Sequence, residues 1–165
     1  MLNVDYDSSA NLLAYFYYNF PTNYQHLMCK KSLCYTNNMK KNKLIVEINR
    51  PIDKVFKFTI TPPNSSKWIP GVVKEETNEW PIRIGTVYKL TDKDGKSSEV
   101  VVKAIKENVM VEWITRDKNY HCRYTYKPVN EDLSKLEYFE WVDTGDIEEP
   151  FTQSTLESLK KALED

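Results

Sequence analysis

A single carboxylate on an otherwise apolar strand face is the side chain best placed for chemistry. Charged residues alternate with apolar ones along residues 135–142, and this period of two is typical of a half-buried strand. The alternation places Leu136, Tyr138 and Val142 on the inner face, and Glu140 falls on the same face. A buried carboxylate is costly unless it is hydrogen-bonded or paired. Glu140 is therefore a candidate ligand anchor or general acid/base.

The same alternation between the two faces of a strand predicts an aromatic inner surface. Outward-facing charges in residues 98–105, 109–115 and 120–127 leave mainly Val, Trp and Tyr facing inward. Aromatic rings combine a large apolar area with a polar tip, which suits the wall of a ligand cavity. The predicted cavity residues are Trp68, Tyr88, Trp113, Tyr124, Tyr126, Tyr138 and Glu140.

Structural alternatives to these roles remain open. The tyrosines and tryptophans fit an ordinary aromatic core equally well. Tyrosine hydroxyls could satisfy Glu140, or a bulge could turn it to solvent, since bulges are frequent in curved sheets. Trp68 follows a Pro-Pro-Asn corner, where its ring would more often be a structural lid than a ligand contact.

Several other chemistries find little support in the sequence. The two histidines, His26 and His121, accompany no G-x-S-x-G elbow, and the three cysteines lack the spacing of a disulfide or zinc framework. Four glycines do not make a phosphate-binding loop, so we expect no cofactor and no metal. A net charge of −1 favours neither nucleic acid nor an anionic membrane as a partner.

The elements that must position these side chains follow from residue 43 onward. Leu44, Val46 and Ile48 alternate as a strand, and Pro51 suits the first turn of a helix that Pro62 ends. Short strand-like runs joined by turns then continue to residue 142, which predicts an antiparallel meander. The last segment carries three leucines at helical spacing, Leu156, Leu159 and Leu163, which predict an amphipathic C-terminal helix.

Residues 1–38 differ from the rest in being rich in Asn, Tyr, Ser and Phe, with few charges and no sustained period. Three interpretations compete: a flexible extension, an accessory helix around residues 12–18, or an upstream region read from a wrongly assigned start codon. Composition slightly favours the third, with Met39 as a natural start. No apolar run reaches the length of a membrane span, and we expect no secretory signal and a cytoplasmic location.

Residues 39–165 resemble a known family. The segments that carry the resemblance are INRPIDKVFKFTITPPNSSKWIPG, WPIRIGTVYKL, the Asp94-Gly95 hairpin, YHCRYTYKPV, and LEYFEWVDTG followed by EEPFTQSTLESLKKAL. In this order they resemble the SRPBCC or START-like superfamily, which includes Bet v 1-like and polyketide cyclase-related proteins, and particularly its small prokaryotic members. The resemblance implies an α+β helix-grip fold, in which a curved antiparallel sheet wraps around a long C-terminal helix and encloses a cavity.

The functional expectation is binding of a small hydrophobic or amphipathic molecule in that cavity. One alternative is an enzyme of the cyclase or hydratase type that uses Glu140 with a tyrosine as acid and base. A second is a co-chaperone-like interaction module, which would have a filled interior and an exposed apolar patch. Ligand identity and oligomeric state do not follow from the sequence.

Overall fold

The computed structural model describes residues 40–165 of the chain. Its strands and helices are, in chain order, β1 (Lys41–Ile48), α1 (Ile52–Ile60), a 3₁₀ helix (Pro62–Lys67), β2 (Val72–Thr77), β3 (Val87–Asp92), β4 (Ser97–Lys106), β5 (Met110–Thr115), β6 (Tyr120–Pro128), β7 (Ser134–Val142) and α2 (Gln153–Glu164). The predicted extension 1–38, its accessory helix at 12–18, and His26, Cys29 and Cys34 lie outside the described residues. Within those residues, no helix has the length and apolar character that a membrane crossing requires.

All seven strands form one antiparallel sheet in the order β1-β7-β6-β5-β4-β3-β2. Strands β2 to β7 are a meander in which each strand pairs with the next along the chain. β1 pairs with β7, so the first strand lies at the edge next to the last. The curved sheet and the C-terminal helix confirm the predicted α+β helix-grip architecture.

Two prolines set the limits of α1, as the sequence indicates. Pro51 precedes the helix, and its carbonyl accepts the first turn's hydrogen bonds from the backbone N–H groups of Lys54 and Val55. Pro62 starts the 3₁₀ helix directly after α1, because a proline cannot continue an α-helix. Val55, Phe56 and Ile60 are buried on the face of α1 that meets the core.

Helix α2 is fixed at its start by a reciprocal cap between Thr152 and Thr155. Leu156 and Leu159 are buried in the core, whereas Leu163, one turn further on, is only partly buried. The helix has 12 residues, which is short for the long helix that the resemblance implies. Its last turn is held against the chain after β1, because Arg50 Nη2 donates to the Glu164 carbonyl at 2.6 Å.

The carboxylate of Glu140 lies at the centre of the contact between β1, β6, β7 and the segment that leads into α2. Its Oε1 accepts from Asn42 Nδ2 of β1 and from the backbone N–H of Phe151, both at 2.8 Å. Its Oε2 accepts from the hydroxyls of Tyr120 at 2.6 Å and Tyr138 at 2.8 Å. Four donors therefore satisfy a carboxylate that is fully buried.

The docking of α2 predicts that Leu159→Ala strongly destabilises the protein. Leu159 is completely buried, so truncation loses the transfer free energy of its side chain and leaves a cavity. We expect the free energy of unfolding to fall by about 2–5 kcal/mol in urea denaturation. The matched control is Lys161→Ala on the exposed side of the same helix, which should change it by less than about 0.5 kcal/mol. Equal effects of the two substitutions would contradict this packing.

The hydrogen bonds of Glu140 predict a structural effect of its substitution. In Glu140→Gln the amide oxygen must take the Oε1 position, because the backbone N–H of Phe151 can only donate. The amide nitrogen then faces two tyrosine hydroxyls, which must rotate to accept. We expect a loss of about 1–3 kcal/mol in the free energy of unfolding.

Glu140→Leu should destabilise more than the glutamine variant, because it removes the acceptor of all four donors and leaves the buried Phe151 N–H without its partner. The control is Glu137→Gln, on the same strand as Glu140. It removes a surface ion pair between Glu137 and Lys43 of β1 and should cost less than about 1 kcal/mol. Thermal melts of Glu140→Gln and wild type that coincide would show that the four bonds do not contribute.

Candidate functional site

A cavity of about 450 Å³ lies between the sheet, the 3₁₀ helix and the start of α2. Much of its wall is aromatic, and the rings come from β3, β5, β6, β7 and the segment before α2: Tyr88, Trp113, Tyr120, Tyr124, Tyr138 and Phe151. Aliphatic side chains complete the wall, among them Val72, Leu90 and Val100. Both the size and the apolar character are typical of small-molecule sites.

The aromatic side chains hold each other in place through ring contacts. Trp113 meets Tyr88 and Tyr124 edge to face, at centroid distances of 5.8 and 5.0 Å. Tyr138 stacks on Phe151 at 4.6 Å with a 13° angle between the ring planes. Such contacts contribute beyond the area they bury, so they give the wall a defined shape.

Glu75 of β2 places a carboxylate on the cavity wall. Ser65 Oγ donates a hydrogen bond to Glu75 Oε2 at 2.5 Å. Burial raises the pKa of Glu75 to about 7, and the Ser65 hydrogen bond only partly opposes this rise. No described lysine or arginine forms an ion pair with it. The cavity therefore contains a group that changes charge near neutral pH.

The thiol and the tyrosine hydroxyls of the wall stay neutral near that pH. Burial is the main cause that raises the pKa of the Cys122 thiol and of the Tyr88, Tyr120, Tyr124 and Tyr138 hydroxyls. Tyr120 and Tyr138 are engaged with Glu140, whereas the Tyr124 hydroxyl has no hydrogen-bond partner within residues 40–165. These groups can offer neutral hydrogen bonds but no positive charge.

The cavity reaches solvent beside three exposed wall residues. Pro70 follows the 3₁₀ helix, and Glu149 and Thr152 precede α2. The cavity therefore meets the surface near residue 70 and near residues 149–152.

Four of the residues that the sequence assigns to the cavity lie on its wall: Tyr88, Trp113, Tyr124 and Tyr138. The other three, Trp68, Tyr126 and Glu140, do not line it. Whether any of the seven contacts a ligand stays a prediction.

Contacts with neighbouring side chains hold Trp68, Tyr126 and Glu140 behind the cavity wall. Trp68 packs against the Tyr124 and Phe151 rings, at centroid distances of 6.3 and 5.9 Å. The Tyr126 hydroxyl bonds Thr59 Oγ1 of α1 at 2.7 Å. Glu140 is enclosed by its four donors, so a ligand in the cavity meets the Tyr120 and Tyr138 rings instead.

Glu75 is missing from the sequence-based assignment because of an irregularity in β2. The register shifts between Val72, which pairs with Asp92, and Lys74, which pairs with Thr91. This bulge gives Val72 and Glu75 the same orientation although they are three positions apart, and both line the cavity. Strict alternation from Val72 would instead turn Glu75 away from the cavity. Tyr120, by contrast, lies two positions before Cys122 on β6, so the alternation along that strand could have placed it on the inner face.

A second carboxylate is buried on the opposite face of the sheet. Glu112 points away from the cavity, as its charge predicts, yet it is only 3% exposed. Lys103 Nζ lies 2.9 Å from its Oε1, and Arg123 Nε donates to its Oε2 at 2.8 Å. Burial acts to raise the pKa of Glu112, but the hydrogen bonds and charges of Lys103 and Arg123 outweigh it and hold the pKa below its usual value.

His121 is also buried, although the sequence places it on the outer face. Its ring stacks on Trp141 at 4.5 Å, with a 7° angle between the two planes. Among residues 40–165 there is no cluster of three metal-ligating side chains.

Comparisons with known proteins agree with this architecture. Residues 40–165 match the model of a family described as polyketide cyclase / dehydrase and lipid transport. No curated protein matches the chain.

Among solved structures, a protein from Nitrosomonas europaea aligns with a TM-score of 0.58 and 12% identity, covering 74% of this chain and 93% of the other. A START superfamily protein from Mycobacterium smegmatis aligns with a TM-score of 0.55 and 16% identity, covering 75% of this chain and 94% of the other. The Aha1 dimer from Colwellia psychrerythraea aligns with a TM-score of 0.57 and 16% identity, covering 76% of this chain and 97% of the other.

At these identities the solved structures establish the fold alone, while the family model spans the whole described part of the chain. The chain therefore belongs to the polyketide cyclase / dehydrase and lipid transport family.

Proposed function

We propose that the protein binds a small hydrophobic or amphipathic molecule in the 450 Å³ cavity. The observation that carries this proposal is a preformed aromatic and aliphatic wall that opens to solvent and includes one partly buried polar anchor, Glu75. Such a combination gives affinity through apolar burial and orientation through the polar group.

The driving force is the removal of apolar ligand surface from water, worth about 25 cal/mol per Å². Because binding also costs translational, rotational and side-chain freedom, a wall that is already ordered favours affinity. Here the ring contacts of Trp113 and Tyr138 fix that wall before any ligand arrives.

The cavity also favours ligand binding over a pure interaction module. A module of that kind would be expected to have a filled interior and a contiguous apolar patch outside. In this chain the space lies inside, between the sheet and α2.

An acid–base enzyme of the cyclase or hydratase type is a second candidate, favoured by Glu75. A general acid or base works best when its pKa lies near the working pH, and burial brings the pKa of Glu75 to about 7. Glu75 lines the cavity, whereas Glu140 does not, so the acid–base role passes from Glu140 to Glu75 in this proposal. Ser65 would orient the carboxyl group.

The cavity predicts that a larger side chain on its wall weakens binding. N-phenyl-1-naphthylamine, a neutral apolar dye, should bind saturably with one site and an increase in fluorescence. Val100→Phe adds a ring to the cavity wall and should weaken the affinity at least tenfold. Val73→Phe, at an exposed position of β2, is the matched control and should bind the dye like wild type.

Leu90→Phe, from a different strand, repeats the test if Val100→Phe fails to fold. No saturable binding to the wild type, or equal binding to a folded filled variant, would reject the proposed site. Native mass spectrometry of the purified protein adds a direct search for a retained small molecule.

The raised pKa of Glu75 predicts a specific pH dependence of stability. Folding raises the pKa from 4.5 to about 7, so the folded state holds this proton more tightly than the unfolded state. The stability that the group contributes is therefore present below pH 4.5 and is lost as the pH rises through 7. The loss amounts to at most about 3.4 kcal/mol, from a shift of about 2.5 pKa units at 1.36 kcal/mol each.

Glu75→Gln should remove this component, so that wild type loses stability relative to the variant between pH 5 and 8 in urea denaturation. Glu76→Gln, at an exposed neighbouring position, should keep the wild-type profile. Parallel profiles of wild type and Glu75→Gln would show that burial does not shift the Glu75 pKa.

A further inference from the structure

We propose that the cavity selects ligands with a positively charged nitrogen, whose ammonium group binds at Glu75 while the apolar part lies against the aromatic wall. This inference rests on the proposed binding function and specifies the chemical class of the ligand. It follows from the charges of the wall, from the unused bonding capacity of Glu75 and from the nature of the surrounding rings.

The charges that line the cavity are of one sign. Glu75 lies inside and Glu149 at the opening, and the described wall includes no lysine or arginine. A carboxylate ligand would place a second negative charge beside Glu75 with no described cation to pair it, which is unfavourable at low dielectric. An ammonium group would instead neutralise Glu75.

Glu75 also has bonding capacity that the described residues do not use. Its carboxylate accepts a single described hydrogen bond, from Ser65. Glu140, which is fully buried, accepts four. A carboxylate can accept about four hydrogen bonds, so the remaining positions of Glu75 suit a multiple donor such as an ammonium group.

The rings of the cavity favour the same charge. Aromatic faces attract cations, tryptophan most strongly, and the gain is larger where water is excluded. Trp113 and Tyr124 meet at 5.0 Å on the wall, with Tyr88 5.8 Å from Trp113. Tyr88 and Glu75 line the same cavity, so this ring and the carboxylate face one enclosed space.

Among the groups that face the interior of the cavity, Glu75 is the one that changes charge near neutral pH. Ser65 on the 3₁₀ helix is neutral, and Tyr88, Cys122 and Tyr124 have pKa values that burial raises above their usual range. Glu149 stands exposed at the opening. Because an ammonium ligand needs the ionised form of Glu75, its affinity should rise with pH.

The test compares three probes with one apolar chain and different ends: 1-octylamine, 1-octanol and octanoate. Isothermal titration calorimetry and displacement of N-phenyl-1-naphthylamine measure their affinities for the full-length protein at pH 8. We expect octylammonium to bind at least tenfold tighter than octanol, and octanoate to bind weakest. Between pH 6 and 8 the octylammonium affinity should rise about tenfold, because an alkylammonium keeps its charge, with a pKa like that of lysine at about 10.4. The octanol affinity should stay constant.

Two variants assign the preference to one residue. Glu75→Gln should reduce octylammonium binding at least tenfold and abolish its pH dependence, so that octylammonium loses its advantage over octanol. Glu76→Gln, exposed on the same strand, should behave like wild type. Octanol or octanoate binding as tightly as octylammonium would overturn the inference, as would a preference that survives in Glu75→Gln. Failure of the dye itself to bind would instead reject the proposed function.

Discussion

The hydrogen-bonded carboxylate of Glu140 is the interaction on which the rest of the structure depends. It lies on β7, takes one donor from β1 and one from β6, and takes a third from the backbone just before α2. The fourth donor, Tyr138, shares its strand. These bonds fix the Tyr120 and Tyr138 rings and hold Phe151 in place, and all three belong to the cavity wall. Glu140 thus shapes a cavity that it does not line.

The chain contains two inward carboxylates with opposite roles. Glu140 is fully enclosed and accepts four hydrogen bonds, so water and ligand are both excluded from it. Glu75 accepts one from Ser65 and lines the cavity, and its pKa rises to about 7. A satisfied buried carboxylate stabilises a fold, whereas an unsatisfied one is a common mark of function. The number of donors, rather than burial alone, separates the two.

Sequence patterns predicted the fold because each element carries its own local signal. The alternation in β1, the prolines around α1 and the leucines of α2 all depend on neighbours along the chain. The alternation of side chains also placed Trp113, Tyr124 and Tyr138 inward, where they lie on the cavity wall.

The site was less accessible to such reasoning because its determinants are not local. The donors to Glu140 include Asn42, 98 positions away, and the bulge that turns Glu75 inward is visible only in the pairing of β2 with β3. The alternation of side chains along a strand predicts which face of the sheet a residue is on, but not how deeply it is buried. Glu112 points outward, yet the long side chains of Lys103 and Arg123 cover it.

The pairing of β1 with β7 also has a consequence for synthesis on the ribosome. β1 ends at Ile48 and its partner begins at Ser134, so the first strand emerges long before the residues that pair with it exist. Strands β2 to β6 can form hairpins as they appear, whereas β1 must wait, with apolar side chains such as Val46 and Ile48 unburied. The nascent chain thus carries β1 without its β7 partner until residues 134–142 have been made. During that period a chaperone that shields extended apolar segments would favour correct folding.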